Sequence, residues 1–483
     1  MSVSAAGRGA CATKWPISSA GLETRPLLYL LVTMPPPAAR ALPLLFLGAI
    51  LCVSRSAAQI PSYTLATLHI FTGTDYAGPS DGAYPSGPLL AGPHGQFFGT
   101  TSGGGIAGAG AVYELAPPTA PGGPWIDTLL YSFHGGPDGG SPEAGVVIGT
   151  GGALYGTTYF GGGSNVCLDT GCGAVFELAP PASPGGTWTE TGIYGFTGRA
   201  DGAEPNGALT VGKNGTFYGT ASGGGVFPCM GQHMGCGTVF ELTPPASPGG
   251  AWTETVLYSF TGQNGDGAAP FGNLIMGKNG ALYGTTSIGG AASAGTVFEL
   301  RRPSAAGDPW TETIIYNFPN PNGFGSFPTE LSAGADEALY GVTSEGGAPG
   351  GGTVYRLAPP TVSGGAWTET DLYAFKGPPD GFLPSAAVVT GKNGAIYGTT
   401  SAGGPAGGGT VFELSPPAAP GQPWTETILA GFSGENNLGT NPAGPVIIGK
   451  DGIFYGTTET GPYSSICNKS GCGTLFALVP ASQ

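Results

Sequence analysis

The sequence predicts an all-β protein, a seven-bladed β-propeller of four-stranded antiparallel blades. Three observations lead there. A phrase of about sixty residues recurs seven times, and repetition at a fixed period is the signature of solenoids and propellers. Its [YF]GT aromatic falls at Phe98, Tyr155, Tyr218, Tyr283, Tyr340, Tyr397 and Tyr455, and the Phe closing its WTETxLYxF segment at Phe71, Phe133, Phe196, Phe260, Phe318, Phe375 and Phe432. Glycine (93) and proline (46) are abundant among the 483 residues. Without a period that composition signals disorder, but here both sit at fixed offsets among aromatic and β-branched residues and read as turns between short strands. Finally, beyond the first 58 residues no apolar pattern of helical period persists.

Taken in order, residues 1–58 lie outside the repeat and read as an N-terminal extension with a signal peptide. Met34 is the expected start, Arg40 the positive region, Ala41 to Val53 the apolar run, and Ala58 the last residue before cleavage. The run is shorter than the roughly 20 residues a spanning helix needs, so no membrane span is expected. The propeller then occupies residues 59–483, in a secreted, extracellular or periplasmic setting at a bacterial envelope.

Each repeat divides into four strands. The first is small and apolar (NLIMG, ALTVG, AVVTG), as suits a place beside a crowded axis. A Gly-Lys-Asn-Gly turn follows at Lys213-Asn214-Gly215, Lys278-Asn279-Gly280 and Lys392-Asn393-Gly394, a strong hairpin signal. The second strand is ALYGTT and the third GTVFEL, closed by a Pro-Pro loop. The fourth is WTETxLYxF, expected to carry Trp, Tyr and Phe on one face. Four antiparallel strands repeated around an axis describe a propeller blade. The array opens at Tyr63 with a lone fourth strand, YTLATLHIF, and closes at Leu478 without one. The N-terminal strand should therefore complete the last blade and remove the exposed sheet edges.

The unit LYGTTxxGG…GTVFELxPP…WTETxLYxF resembles the GloVer tandem repeat of secreted bacterial proteins described as choice-of-anchor, over residues 63 to 478. The resemblance implies export and a repeat fold, and brings no catalytic residues. The Gly-Gly after the second strand is also similar to kelch blades.

Net charge is −15, and the surface of such a chain repels phosphate, which argues against nucleic acid or anionic membrane as partner. Length varies between repeats almost entirely in the loop joining strands two and three. That loop shares a face with the connection to the next blade, which carries a recurrent Asp-Gly at Asp81, Asp138, Asp201, Asp266 and Asp380. Variation and function both gather on loops held by rigid scaffolds, so this is the expected ligand face, with Asp138, Asp201, Asp266 and Asp380 as its recurrent polar groups. The bland reading of Asp-Gly is turn chemistry; the alternative, calcium, lacks regular ligand spacing.

Six of the eight cysteines lie in the three long loops. Cys167 and Cys172, Cys229 and Cys236, and Cys467 and Cys472 are expected as local disulfides. Zinc needs about four ligands where each loop offers two, with His233 beside one pair. Cys11 and Cys52 belong to the leader. Gly78-Pro79-Ser80-Asp81-Gly82 matches a nucleophile elbow in letters but lacks the strand-turn-helix setting. His69 takes a tyrosine slot and is expected to be packed. The Glu of GTVFEL (Glu114, Glu177, Glu241, Glu299, Glu413) recurs too regularly for one active site. Asp336, Glu337 and Glu345 make an acidic turn in the fifth unit. No catalytic residue, metal or cofactor is expected. The expected function is a monomeric binding scaffold for polysaccharide or protein; the alternative is a polysaccharide-degrading enzyme with acids at the channel mouth.

Overall fold

The computed structural model describes residues 63–481 except 74–80, 121, 168–169, 184, 230–234, 248, 306, 320–325, 349, 363, 420, 436, 463–466 and 468–469. The expected signal segment with Cys11 and Cys52, His233, and most of the Gly78–Gly82 match lie outside the described residues. Seven four-stranded antiparallel sheets follow one another in a ring, a seven-bladed β-propeller. Blade 1 is Leu90–Ala91, Phe97–Thr101, Ala111–Ala116 and Ile126–Ser132, paired in that order. Blades 2 to 6 span residues 147–195, 210–259, 267–317, 326–374 and 389–431. Blade 7 takes its first three strands from 447–480 and its fourth from Tyr63–Ile70, which pairs antiparallel with Thr474–Pro480 from Tyr63↔Pro480 to Ile70↔Thr474. The ring closes as the sequence predicts.

The Lys-Asn-Gly turns form because Asn and Gly tolerate positive φ. Asn214 (φ 58°) and Gly215 (φ 77°) turn the chain so that Gly212 N–H reaches the Thr216 carbonyl at 2.7 Å. In the second strand, the glycine of YGT makes room for the aromatic of the third. A Cβ on Gly156 would stand 2.6 Å from the Phe176 ring, and one on Gly219 would stand 2.4 Å from Phe240. An aromatic ring thus fills the space that a missing side chain leaves.

One expectation is corrected. Trp, Tyr and Phe of the fourth strand do not share a face. Every fourth strand from blade 1 to blade 6 carries a bulge, for example Val112↔Tyr131 beside Tyr113↔Leu129, leaving Leu130 extra. An extra residue inverts the alternation beyond it. Trp188 of blade 2 therefore joins the cluster facing blade 1, beside Phe98, while Phe133 of blade 1 faces blade 2. Each closing Phe meets the third-strand aromatic of the following blade: Phe71–Tyr113, Phe133–Phe176, Phe196–Phe240, Phe260–Phe298, Phe318–Tyr355, Phe375–Phe412 and Phe432–Phe476, with centroids 5.0–5.1 Å apart. Such pairs contribute about 0.5–1.5 kcal/mol each beyond their burial. The core is thus seven apolar seams between blades.

First strands of adjacent blades line the hub. Their backbones nearly touch: a Cβ on Gly207 would lie 2.1 Å from the Gly272 carbonyl oxygen, and one on Gly145 2.3 Å from that of Pro88. The first Thr of YGTT latches blade to blade. Thr100 donates to the Ala144 carbonyl (2.8 Å), Thr157 to Gly207 (3.2 Å), Thr220 to Gly272 (2.8 Å), Thr285 to Thr329 (2.5 Å) and Thr399 to Gly444 (3.1 Å). Blade 5 has Val342 there. A different bond crosses that seam, from Ala387 N–H of blade 6 to the Glu330 carboxylate at 3.4 Å.

Candidate functional site

The recurrent Asp side chains are placed as turn braces. Asp138 accepts from His134 N–H (2.9 Å) and from the Tyr131 hydroxyl (3.1 Å). Asp201 does so from Thr197 N–H (2.7 Å) and Tyr194 (3.0 Å), Asp266 from Thr261 N–H (2.7 Å) and Tyr258 (3.3 Å), and Asp380 from Lys376 N–H (3.0 Å) and Tyr373 (3.0 Å). Each carboxylate is engaged by its own blade, the geometry of turn chemistry. The three disulfides are present: Cys167–Cys172, Cys229–Cys236 and Cys467–Cys472. Their loops belong to blades 2, 3 and 7.

Just beyond each Asp-Gly position the chain reads x-Pro-x as it enters the hub, and there the blades differ. The residue before the proline is Tyr84, Ser141, Glu204, Ala269, Phe327, Leu383 or Asn441, all with φ between 50° and 60°. This left-handed conformation is costly for a residue with a Cβ. It is held by one hydrogen bond repeated seven times, from that residue's N–H to the loop of the preceding blade. The acceptors are the carbonyls of Cys472, Ala109, Cys172, Cys236, Ala294, Gly351 and Gly408, at 2.8–3.1 Å. Three of the seven are disulfide cysteines, so each staple steadies the residue that the next blade presents.

The side chains around this mouth divide into two arcs. Blades 4, 5 and 6 contribute Ala269, Phe271, Phe327 and Leu383, and Phe271 is 37% exposed. Blades 7, 1, 2 and 3 contribute Asn441, Glu459, Tyr84, Glu143 and Glu204. The Tyr159 hydroxyl donates to Glu204 Oε2 at 2.9 Å, and Asn441 Nδ2 donates to Glu459. Glu143 is raised above the usual carboxyl range, first because the surrounding walls cut its hydration, and further by repulsion from Glu204 and Glu459; a Ser141 hydrogen bond opposes this. Loss of hydration also raises Glu459, against its bond from Asn441. The acids gather on one side of the mouth, and the other carries Phe271, Phe327 and Leu383 with the hydroxyls of Ser287, Ser344 and Ser401 bonded to backbone carbonyls beside them.

A second set of acids sits at the outer rim, where the Glu of WTET meets the Tyr–Asp brace of the preceding blade. Glu190 faces Tyr131 and Asp138, Glu254 faces Tyr194 and Asp201, Glu312 faces Asp266, and Glu426 faces Asp380. Burial, then the neighbouring aspartate, pushes each glutamate up to about 7. Oε1 of each of these glutamates is buried without a hydrogen-bond partner, which penalises the charged form and favours the protonated one. Between blades 4 and 5, Glu369 has no such aspartate from the preceding blade and pairs instead with Asp371 of its own strand; burial and that repulsion raise it.

On the opposite face, among the Lys-Asn-Gly turns, clefts of about 340 and 400 Å³ separate blades 4 and 5 and blades 3 and 4. Tyr283, Trp367, Lys278 and Glu337 line the first, and Tyr218, Glu241, Lys278 and Arg302 the second. Two acids of the fifth unit are paired here, Glu337 with Lys278 at 2.7 Å and Asp336 with Arg356, whereas Glu345 ends the strand Leu339–Glu345 and so does not join them in one acidic turn. Tyr283 donates to Glu299 at 3.0 Å, so the Glu of GTVFEL braces its own blade. Most of the lining belongs to the repeated phrase and follows from how blades stack.

The model of the Gloeobacter/Verrucomicrobia repeat matches residues 56–298 and 305–483. The chain belongs to this family. No curated protein sequence matches this Gloeobacter/Verrucomicrobia repeat protein significantly. Among solved structures, a fungal alcohol oxidase in complex with copper is similar at 12% identity and a TM-score of 0.50, over 87% of this chain and 77% of that one. A Trypanosoma rangeli sialidase in complex with sialic acid is similar at 10% identity and a TM-score of 0.38, over 88% of this chain and 59% of that one. These likenesses are of fold alone. Within the repeat protein, the mouth residues Glu143, Glu204 and Glu459 were not expected from the sequence, since none of them recurs from blade to blade. Their signal is variation: Glu143 and Glu204 flank a proline that recurs in every blade, and Glu459 takes a position that is serine or tyrosine elsewhere.

Proposed function

We propose that this repeat protein is an exported binding scaffold whose ligand is a polysaccharide seated at the mouth of the hub. One observation carries the reading: at a backbone conformation repeated seven times, only the side chain changes from blade to blade. A scaffold kept rigid while seven positions diversify is the arrangement of a recognition surface. Sugar rings offer an apolar face and a hydroxyl edge. Phe271, Phe327 and Leu383 suit the first, and Glu143, Glu204, Glu459 and Asn441 suit the second. Paired cysteines in single loops support export, since such bonds persist in oxidising compartments.

The enzymatic alternative draws on Glu143, a carboxyl held above its usual range near two others. Glycoside cleavage uses one protonated and one ionised carboxyl about 5–10 Å apart across the substrate. A glycan-array screen of residues 59–483, with reducing-end release assayed in parallel, tests both. Binding without release, weakened at least tenfold by Phe327→Ala or Glu204→Gln, is the expected result. Release abolished by Glu143→Gln would establish the enzyme instead, and absence of any glycan binding would overturn the polysaccharide reading.

A further inference from the structure

The seam where the ring closes has a rim site unlike the others. The brace is His69, on the fourth strand of blade 7, where blades 1 to 5 have tyrosine. Opposite it, in place of the WTET glutamate, stands Asp127 of blade 1. Asp81, from the connection between them, keeps the usual aspartate. One nitrogen of His69 and one oxygen each of Asp81 and Asp127 all lie within 4.8 Å of one another. His69 Nε2 is 2.9 Å from Asp81 Oδ2. Asp81 Oδ1 is oriented by Thr72, whose N–H and hydroxyl both donate to it at 2.8 Å. The imidazole is fixed edge-on to Phe71, with centroids 4.8 Å apart.

Two features point to a ligand. Asp127 Oδ1 is shielded from solvent and has no hydrogen-bond partner, as is true of Oε1 of the rim glutamates 190, 254, 312 and 426, but among the described residues only this rim brings an imidazole nitrogen and two carboxylates within 4.8 Å of one another. The exchanges of Tyr for His and Glu for Asp also occur together, at one seam only. The first replaces a weak donor with a strong metal ligand, and the second shortens the opposing arm. One imidazole and two carboxylates suit a transition-metal dication, whereas calcium seeks 6–8 oxygens. Tetrahedral zinc, with bonds of about 2.0–2.2 Å, sets its ligand atoms roughly 3.4 Å apart. The observed spread allows that after small side-chain movements.

We propose that His69, Asp81 and Asp127 form a site for a divalent transition-metal ion, zinc fitting best, that clasps the closing seam of the ring. The site is separate from the hub mouth and independent of what binds there. Because its ligands join the N-terminal strand, the following loop and blade 1, the ion stabilises closure by mass action.

The test uses the mature chain freed of any histidine tag and titrated with ZnCl2, CoCl2 and CaCl2, followed by calorimetry, thermal melts and visible absorption. One Zn2+ per chain should bind and raise Tm, Co2+ should give a ligand-field spectrum, and Ca2+ should do neither. His69→Tyr, which restores the residue of the other rim sites, should fold, lose at least about tenfold in zinc affinity and lose the zinc-dependent rise in Tm. Asp127→Asn should do the same, while His134→Ala binds as the parent does. Unchanged binding in both seam variants, or no zinc-dependent shift in the parent, would overturn the site.

Discussion

Leu65 and Ala430 pack against one apolar cluster between blades 6 and 7, in the places that glutamate and tyrosine hold at most other rims. Neither polar partner survives without the other. This joint replacement shows that the rim glutamate and the tyrosine brace are one unit. Leu65→Glu should therefore lower stability by about 2 kcal/mol, since its carboxyl would be buried without a partner. Adding Ala430→Tyr should recover part of the loss, and calorimetric melts of the two variants measure the difference.

Stability should fall as pH rises from about 5 to 8. The rim glutamates 190, 254, 312 and 426 are held at about 7 in the fold, above their unfolded values near 4.5. A carboxyl raised on folding binds its proton more tightly in the native state. Its contribution is full below the unfolded pKa and is lost as pH climbs through the folded one. The groups are only half-buried, so solvent screening reduces each contribution. The fourfold Glu→Gln variant should show a flatter Tm–pH profile across this window, and an equally steep one would assign the dependence elsewhere.

Thr220→Val should cost about 1–3 kcal/mol. The change is nearly isosteric and leaves the Gly272 carbonyl without its 2.8 Å donor in a buried seam. A lower urea midpoint with unchanged m-value is the expected signature. Glu330 accepts from Ala387 N–H across the next seam, so Glu330→Ala, which leaves that N–H unpaired, should be costly in a way that loss of a surface glutamate such as Glu435 is not.

Removing the Cys167–Cys172 bond as Cys167→Ser/Cys172→Ser should cost about 2 kcal/mol by loop entropy. It should also loosen Glu204, whose N–H is tied to the Cys172 carbonyl at 2.8 Å. Hydrogen exchange at Glu204 should accelerate, while exchange at Leu383, tied to Gly351, stays unchanged.

A chain lacking 63–71 should fail to fold cooperatively, because it loses the fourth strand of blade 7 together with the Phe71–Tyr113 contact that seals the last seam. A circular permutant that appends those residues after 481 should restore a single sharp transition, read by circular dichroism.

Seven repeats, four strands each, closure by Tyr63–Ile70 and the cysteine pairing were all legible in the chain. Each rests on local periodicity or on residues close in sequence, as in the five-residue separation of Cys467 and Cys472. Where Trp125 and Phe133 point was not legible, since a single bulged residue inverts every position beyond it and Leu130 bears no mark of being extra. Nor was the company each acid keeps: Glu143 meets Glu459 only because blades 2 and 7 lie on one arc of a closed circle. Covalent order determines the period and the hairpins. Which side chains from distant repeats share a mouth or a rim is decided by ring geometry, because contacts between blades join residues hundreds of positions apart that no local pattern relates.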